Sequence, residues 1–402
     1  MEKLLIEKLD NTGRGISYYN NKIIFIPNTL PNEEVIINIT KESKKYYEGE
    51  VIEYIKTSPL RIEPLCPYYN TCGGCNLLHT PYNETLTYKK NKLQDILHKY
   101  ANIDKDIEII PSKNELNYRN KITLKIKNNK YGYYQDNTHK LIEIDNCLLA
   151  EPSINNFIKD IKYLNIKNGE LVIRSNYNKE LLIHIISKEE ITPNIEYLKK
   201  KHKIVGIVLN NKTIYGESSF VEIINHLYFN VSYDSFFQIN RYICSILFDL
   251  VKENINDNEV VLDLYCGVGT LGINVANKSK RLYGIEIVKN AVLNAITNSK
   301  INKRNNISYM LGDVSKCLPK IKDKIDTIIL DPPRAGLDNI TKKTIIEFKP
   351  TKIIYISCDP ITLARDLKEL KEHYLIKEIK GLDMFPYTYH CENLAVLERK
   401  SS

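Results

Sequence analysis

Ser357-Cys358-Asp359-Pro360 directly follows the apolar run Ile353 to Ile356, which sets a thiol just past the end of a buried strand. The carboxyl edge of a parallel sheet is where ligands gather, so Cys358 is a candidate nucleophile. Near the C-terminus, Phe385 through Asn393 supplies one acid, Glu392, ahead of a last apolar run, Leu394 to Leu397. A thiolate and a carboxylate together suit covalent catalysis at an unreactive pyrimidine carbon. The thiolate adds to C6, C5 then takes an electrophilic methyl, and a base removes the C5 proton so that the thiolate can leave. A lone cysteine is more often a small buried hydrophobe, so the reading of Cys358 rests on Glu392 and on Asp331-Pro332-Pro333-Arg334. His390 is read as structural.

Val260 to Leu264, Tyr265-Cys266-Gly267-Val268-Gly269 and Thr270-Leu271-Gly272 read as a strand, a glycine loop and a helix start. The glycines let a ligand approach the backbone closely. The next strand ends in Glu286, placed to accept both hydroxyls of a ribose. Asp313 stands where an acid can reach an adenine, and Asp331 follows another buried strand. The loop lacks the tight GxGxxG form, and the order suits an adenosylmethionine site better than a dinucleotide site. Because the DPP tetrad ends in Arg334 rather than an aromatic residue, it fits a target without an exocyclic amine, and the planar cation suits a phosphate or an oxygenated base.

A third constellation is Cys66-Pro67-Tyr68-Tyr69-Asn70-Thr71-Cys72-Gly73-Gly74-Cys75, with Cys147 the nearest further cysteine. In the reducing compartment expected for this chain, its nine cysteines are not expected to form a disulfide framework. Four thiolates suit either Zn²⁺ or a [4Fe-4S] cluster, and spacing alone does not choose between them.

These groups need elements to hold them. A chain of 402 residues is expected to form two or three domains. With 43% hydrophobic and 26% charged residues it is globular, neither disordered nor coiled coil. No apolar run approaches membrane-spanning length, and Met1 to Lys8 mixes acids and lysines with its apolar residues, so a cytoplasmic protein is expected. The net charge of +8 is compatible with a polyanionic partner. Residues 1–57 carry five short β-type runs separated by turns, expected as a small barrel, and Ser58 to Pro64 reads as a linker. Residues 58–235 read as a central α+β region. From 236 to 402, buried strands alternate with helical stretches, which implies a doubly wound parallel sheet. The expected fold class is α/β, with the barrel and the central α+β domain preceding the doubly wound domain.

Taken together, these motifs resemble, in order and over nearly the whole chain, the RNA 5-methyluridine methyltransferases. The resemblance implies a TRAM-like, oligonucleotide-binding-type barrel at the N-terminus and a class I methyltransferase domain at the C-terminus. It implies S-adenosylmethionine bound by Gln238 of Ser235-Phe236-Phe237-Gln238-Ile239-Asn240, Tyr265, Glu286 and Asp331. Cys358 becomes the nucleophile and Glu392 the base. The family's cysteine loop carries over to Cys66, Cys72, Cys75 and Cys147, and favours a [4Fe-4S] cluster over zinc. Tyr118-Arg119-Asn120-Lys121 resembles a substrate-facing motif, which makes Arg119 an expected RNA contact. The sequence departs from the family pattern at Cys391, usually aliphatic, and at Thr270, where some members carry Asn. A barrel and a cysteine loop in one chain point to 23S rRNA as substrate, with tRNA the alternative, and no obligate protein partner is evident.

Overall fold

Apolar residues alternate with polar ones through the N-terminal segment, and six strands form there: β1 (Glu2–Leu5), β2 (Lys8–Leu9), β3 (Gly15–Tyr19), β4 (Lys22–Ile26), β5 (Glu34–Glu42) and β6 (Tyr46–Lys56). The computed structural model describes residues 2–135 and 138–401; Met1, Asp136, Asn137 and Ser402 lie outside them. The strands pair in the order β1-β5-β6-β4-β3-β2. Ile24, Ile26, Val35 and Ile37 close on Ile6 and Tyr47 to make a core.

Six strands form rather than five because the first apolar run divides at Ile6, whose amide leaves the ladder to bond the Glu33 carbonyl at 2.9 Å. Likewise β6 begins at Tyr46, ahead of its apolar stretch at Val51 and Ile52, since its pairing with β5 carries it through Gly49, a residue with little strand preference of its own. The expected linker is tied down. The buried Glu33 carboxylate accepts from the amides of Leu30 (2.8 Å) and Ser58 (3.1 Å) and from Arg61 at 2.5 and 2.7 Å. Burial alone would raise the Glu33 pKa, but these donors more than offset it and hold the carboxyl below its usual range.

Contacts divide the chain into two compact units. One comprises Met1–Lys92, Tyr131–Ile144 and Phe385–His390; the other comprises Leu93–Lys130, Asp145–Met384 and Cys391–Ser402. In the chain order that follows, the strands are β7 (Glu108–Ile110), β8 (Lys121–Lys127), β9 (Lys130–Tyr134), β10 (Leu141–Glu143), β11 (Gly169–Ser175), β12 (Leu181–Ile186), β13 (Ile204–Leu209) and β14 (Lys212–Gly216). The hairpin β15 (Ser219–Ile224) and β16 (Leu227–Ser232) comes next. The last seven are β17 (Glu259–Leu264), β18 (Ser279–Glu286), β19 (Ile307–Leu311), β20 (Thr327–Leu330), β21 (Lys352–Ser357), β22 (Tyr374–Leu382) and β23 (Glu392–Arg399).

Within the second unit, β8-β11-β12-β13-β14 run side by side as one sheet, and an eight-stranded sheet has the order β19-β18-β17-β20-β21-β23-β22-β7. Strands β17 to β21 are mutually parallel where they pair, and β23 runs antiparallel to β21. Leu262, Leu264, Ile328, Leu330 and Ile353 are fully buried in the main core, as a parallel sheet covered on both faces requires. From β17 the chain steps outward to β18 and β19 and then returns to β20 on the other side. That reversal opens a crevice at the carboxyl ends of β17 and β20. Among the described residues, no helix is long and apolar enough to cross a membrane.

Candidate active site

Four strands deliver their following residues to one edge. Tyr265 follows β17, Glu286 ends β18, Asp331 follows β20 and Cys358 follows β21. Because β23 is antiparallel, its first residue, Glu392, arrives at that same edge. Ser357 lies opposite Asn393, so Cys358 and Glu392 are brought together. The Asn393 amide fixes the junction by donating to the carbonyls of Ser357 (2.9 Å) and Cys391 (3.1 Å).

These groups lie close enough to act on one another's charge. Burial, then the Glu392 charge, pushes the Cys358 thiol up to about 11, while the Arg334 guanidinium, within hydrogen-bonding reach, pulls it down. Burial raises the Glu392 carboxyl well above the usual carboxylate range. Asp331 adds to that rise and Arg334 opposes it. Asp331 itself is driven up to about 7 by burial. The Glu392 carboxyl and the Cys358 thiol thus share one guanidinium, and burial together with the neighbouring Asp331 disfavours their charged forms. Cys391 is buried beneath, its thiol toward the carbonyls of Leu382 and Glu392 at 3.5 and 3.3 Å.

The neighbouring hollow is built by the glycine loop. Asp263, the fully buried acid of β17, accepts from the Gly272 amide at 2.9 Å and so staples the loop to the helix Thr270–Val275. Burial raises its pKa to about 8. Tyr265 has φ +64°, a backbone region that aromatic residues rarely adopt and that the surrounding core imposes. Gly267, at φ +54°, faces open space, with no atom within 4 Å of where a Cβ would stand. The Glu286 carboxylate accepts from the amides of Gly267 (3.0 Å) and Val288 (2.8 Å), one on each oxygen. Each oxygen keeps a lone pair, which fits a ribose diol. Open space over a glycine beside a tethered carboxylate is what an adenosyl group needs.

Gln238 follows β16. Its loop is fastened on one side by Asn120, which donates to the Gln238 carbonyl at 3.0 Å. On the other side Asn294, in the helix Lys289–Ile301, donates to Ser235 Oγ at 2.9 Å, and Asn298 of that helix donates to the Val268 carbonyl at 3.1 Å. The Gln238 loop is therefore held by the helix that also grips the glycine loop. Asp313 caps the short helix Val314–Cys317 through the Ser315 amide at 2.9 Å. Thr270 opens the helix after the glycine loop.

Cys66, Cys72 and Cys75 are half-buried in the first unit, on a loop that Tyr69 closes by donating to the Asn76 carbonyl at 2.8 Å. Cys147 belongs to the second unit, its amide bonded to Asn155 Oδ1 at 2.9 Å. Among the described residues, no group of three or more His, Cys, Asp or Glu is arranged to hold a metal ion.

Positioning residues outside the motifs also emerge. Asp366 is fully buried and accepts from Tyr355 Oη (2.7 Å) and the Leu337 amide (2.9 Å), while Arg365 donates to the carbonyls of Ala335 (2.9 Å) and Leu337 (3.2 Å). Together they pin the segment after Arg334, where Gly336 takes φ +73°. The available signal was an acid on the apolar stripe Leu363-Leu367-Leu370 of the helix Pro360–Leu370.

A family model described as tRNA (Uracil-5-)-methyltransferase matches residues 81–313 and 318–400, and a TRAM domain model matches residues 2–52. An uncharacterized RNA methyltransferase of Halalkalibacterium halodurans is 32% identical over 99% of this chain and 97% of its own. One from Caldanaerobacter subterraneus subsp. tengcongensis is 33% identical over 98% of this chain and 97% of its own. Among solved structures, the Pyrococcus abyssi tRNA (uracil-54, C5)-methyltransferase in complex with S-adenosyl-L-homocysteine is similar with a TM-score of 0.82 and 26% identity. That match covers 98% of this chain and all of the other.

Proposed function

The chain belongs to the tRNA (uracil-5-)-methyltransferase family of S-adenosylmethionine-dependent RNA methyltransferases, and from that premise we propose that it methylates C5 of a uracil in 23S rRNA through a covalent adduct at Cys358. The carrying observation is the meeting of Cys358, Glu392 and Arg334 at the edge where β17, β18 and β20 also end. S-adenosylmethionine supplies an electrophilic methyl on a sulfonium, held by Gln238, Tyr265, Glu286 and Asp331. Cys358 loses its proton, and its thiolate forms a bond to C6 while the C5–C6 π electrons move toward O4. C5, carrying the electron pair returned from O4, then bonds the methyl as the sulfonium–methyl bond breaks and its electrons stay on sulfur, leaving S-adenosylhomocysteine. Glu392 removes the C5 proton, and the freed electron pair re-forms C5–C6 and expels the thiolate. The target uracil has to leave its stack to reach this edge.

Arg334→Met removes the cation that favours the Cys358 thiolate. Since the thiol must be deprotonated to attack, the rate climbs with pH toward the thiol pKa, and raising that pKa moves the climb to higher pH. The rising limb of kcat/KM against pH is expected to shift up by about one unit. Profiles of the two proteins measured from pH 6 to 10 check this, and superimposable limbs would contradict it. Glu286→Ala is expected to weaken S-adenosylhomocysteine binding about 10- to 100-fold, the loss of hydrogen bonds to a charged group. Calorimetric titration reads it directly, and an unchanged Kd would take Glu286 out of the donor site.

The Pyrococcus abyssi match favours a second reading. A tRNA enzyme superposes on 98% of this chain, so an N-terminal strand domain does not by itself select rRNA, and the tRNA T loop is the alternative substrate. Incubation with methyl-labelled S-adenosylmethionine and unmodified 23S rRNA or tRNA transcripts, followed by nucleoside identification, separates the two. Label in 5-methyluridine from 23S rRNA supports the proposal; label in tRNA alone overturns the substrate and keeps the chemistry. A [4Fe-4S] cluster on Cys66, Cys72, Cys75 and Cys147 rests on the resemblance of their loop to the family's cysteine loop and enters no step above. Iron analysis of anaerobically purified protein tests it.

A further inference from the structure

Strands β8 and β11 lie antiparallel, and their register sets Lys125 opposite Glu170 and Lys121 opposite Arg174. Register partners share a face, so one end of this two-strand row carries an opposite-charge pair and the other a like-charge pair. Lys125 and Glu170 form an ion pair. Lys121 makes no ion pair among the described residues. Like charges directly opposite one another destabilise a sheet, and an anion from outside the chain would relieve that repulsion.

Arg174 is 4% exposed. One arm of its guanidinium donates to the Ser235 carbonyl, and its Nε has no partner. Burial pulls Arg174 down to about 10, and burial together with Arg174 pulls Lys121 down to about 8. His184, on the same face of β12, is lowered by burial and feels both cations. The carboxylate whose charge Arg174 feels is Asp234, which accepts from Asn290 Nδ2 at 3.2 Å and forms no ion pair with either cation among the described residues. A buried donor without an acceptor and a half-buried ammonium without a counterion point the same way: a missing oxyanion.

The pocket adjoins the active-site loop. Asn120, next to Lys121, bonds the carbonyls of Gln238 and Ile239, each at 3.0 Å, and Arg174 holds Ser235 of that same loop. Resting on the reading of this chain as an RNA methyltransferase, we propose that Lys121 and Arg174 form a binding site for one backbone phosphate of the RNA, beside the loop that carries Gln238. Lys121 supplies the accessible charge and Arg174 the buried fork, so a strand anchored here runs past the donor site.

Lys121→Gln, Lys121→Met and Lys121→Arg test the site, because the Lys121 side chain forms no hydrogen bond or ion pair among the described residues, whereas Arg174 also holds the loop. Fluorescence anisotropy with labelled 23S rRNA and tRNA transcripts at several KCl concentrations reads binding without methyl transfer, so it stands even if neither RNA is methylated. Lys121→Gln is expected to weaken RNA binding about 10-fold and to reduce the slope of log Kd against log [KCl] by about 0.7, the signature of one lost phosphate contact on a single strand. Lys121→Arg should restore both, and Lys121→Met should melt at a higher temperature than wild type, since it removes a cation facing a cation. Unchanged RNA affinity and salt slope in Lys121→Gln would overturn the proposal. So would a loss confined to S-adenosylhomocysteine binding, which would assign the pocket to the carboxylate of the methyl donor.

Discussion

Cys358→Ala is expected to lower methyl transfer by about 10⁴-fold or more, while S-adenosylhomocysteine binds as it does to wild type. Without the thiol no bond forms at C6, C5 stays unreactive, and orientation of the two substrates alone leaves only residual catalysis. The donor hollow is assembled by Asp263, Glu286 and the glycine loop, none of which leans on the Cys358 side chain, so donor binding and chemistry separate cleanly. Single-turnover transfer from labelled donor, beside a calorimetric titration, checks both halves. A variant that keeps more than a few per cent of wild-type rate would remove Cys358 as nucleophile. Cys391 is no substitute, because its thiol is buried and turned to the carbonyls of Leu382 and Glu392.

Glu392→Gln is expected to stall the reaction one step later. The adduct forms and the methyl is transferred, but an amide cannot take the C5 proton, so the thiolate cannot leave. Turnover falls by about 10³-fold, within the range for loss of a general base, and protein linked to RNA accumulates. Glutamine matches the shape of the buried Glu392 carboxyl, whose charged form burial disfavours, so the fold is retained. A band that resists denaturation, disappears on RNase treatment and is absent from the double variant with Cys358→Ala gives the expected result. Wild-type turnover in Glu392→Gln, or an inactive variant without the adduct, would remove Glu392 from the role of base.

Much of this site is legible in the sequence because each residue abuts an unmistakable strand. Cys358 follows four consecutive apolar residues, and Glu286 and Asp331 sit at the ends of similar runs, so a parallel sheet alone puts them on one edge. Glu392 is harder to place, since only the antiparallel return of β23 brings its amino end to the carboxyl ends of the other strands. Local pattern cannot reveal that reversal. The pinning of the Arg334 segment by Asp366 is invisible for a different reason. Its partners, Leu337 and Tyr355, are remote in sequence, and an acid inside a helix reads as solvent-exposed until packing buries it. In the N-terminal domain the division at Ile6 and the early start of β6 depend on bonds to Glu33 and on pairing with β5, which propensity does not encode. The Lys121–Arg174 pair is a property of register, and one residue of slip would dissolve it.

The central claim is that a methyl group reaches C5 of a uracil by way of a C6 adduct, which requires the hydrogen at C5 to be lost. RNA transcribed with [5-³H]uridine and incubated with the wild-type protein and ¹⁴C-methyl S-adenosylmethionine measures this in one tube. The predicted result is one tritium released to water for each ¹⁴C-methyl fixed in RNA, with neither event in Cys358→Ala. Methyl incorporation with the tritium retained would place the methyl on another atom and contradict the account.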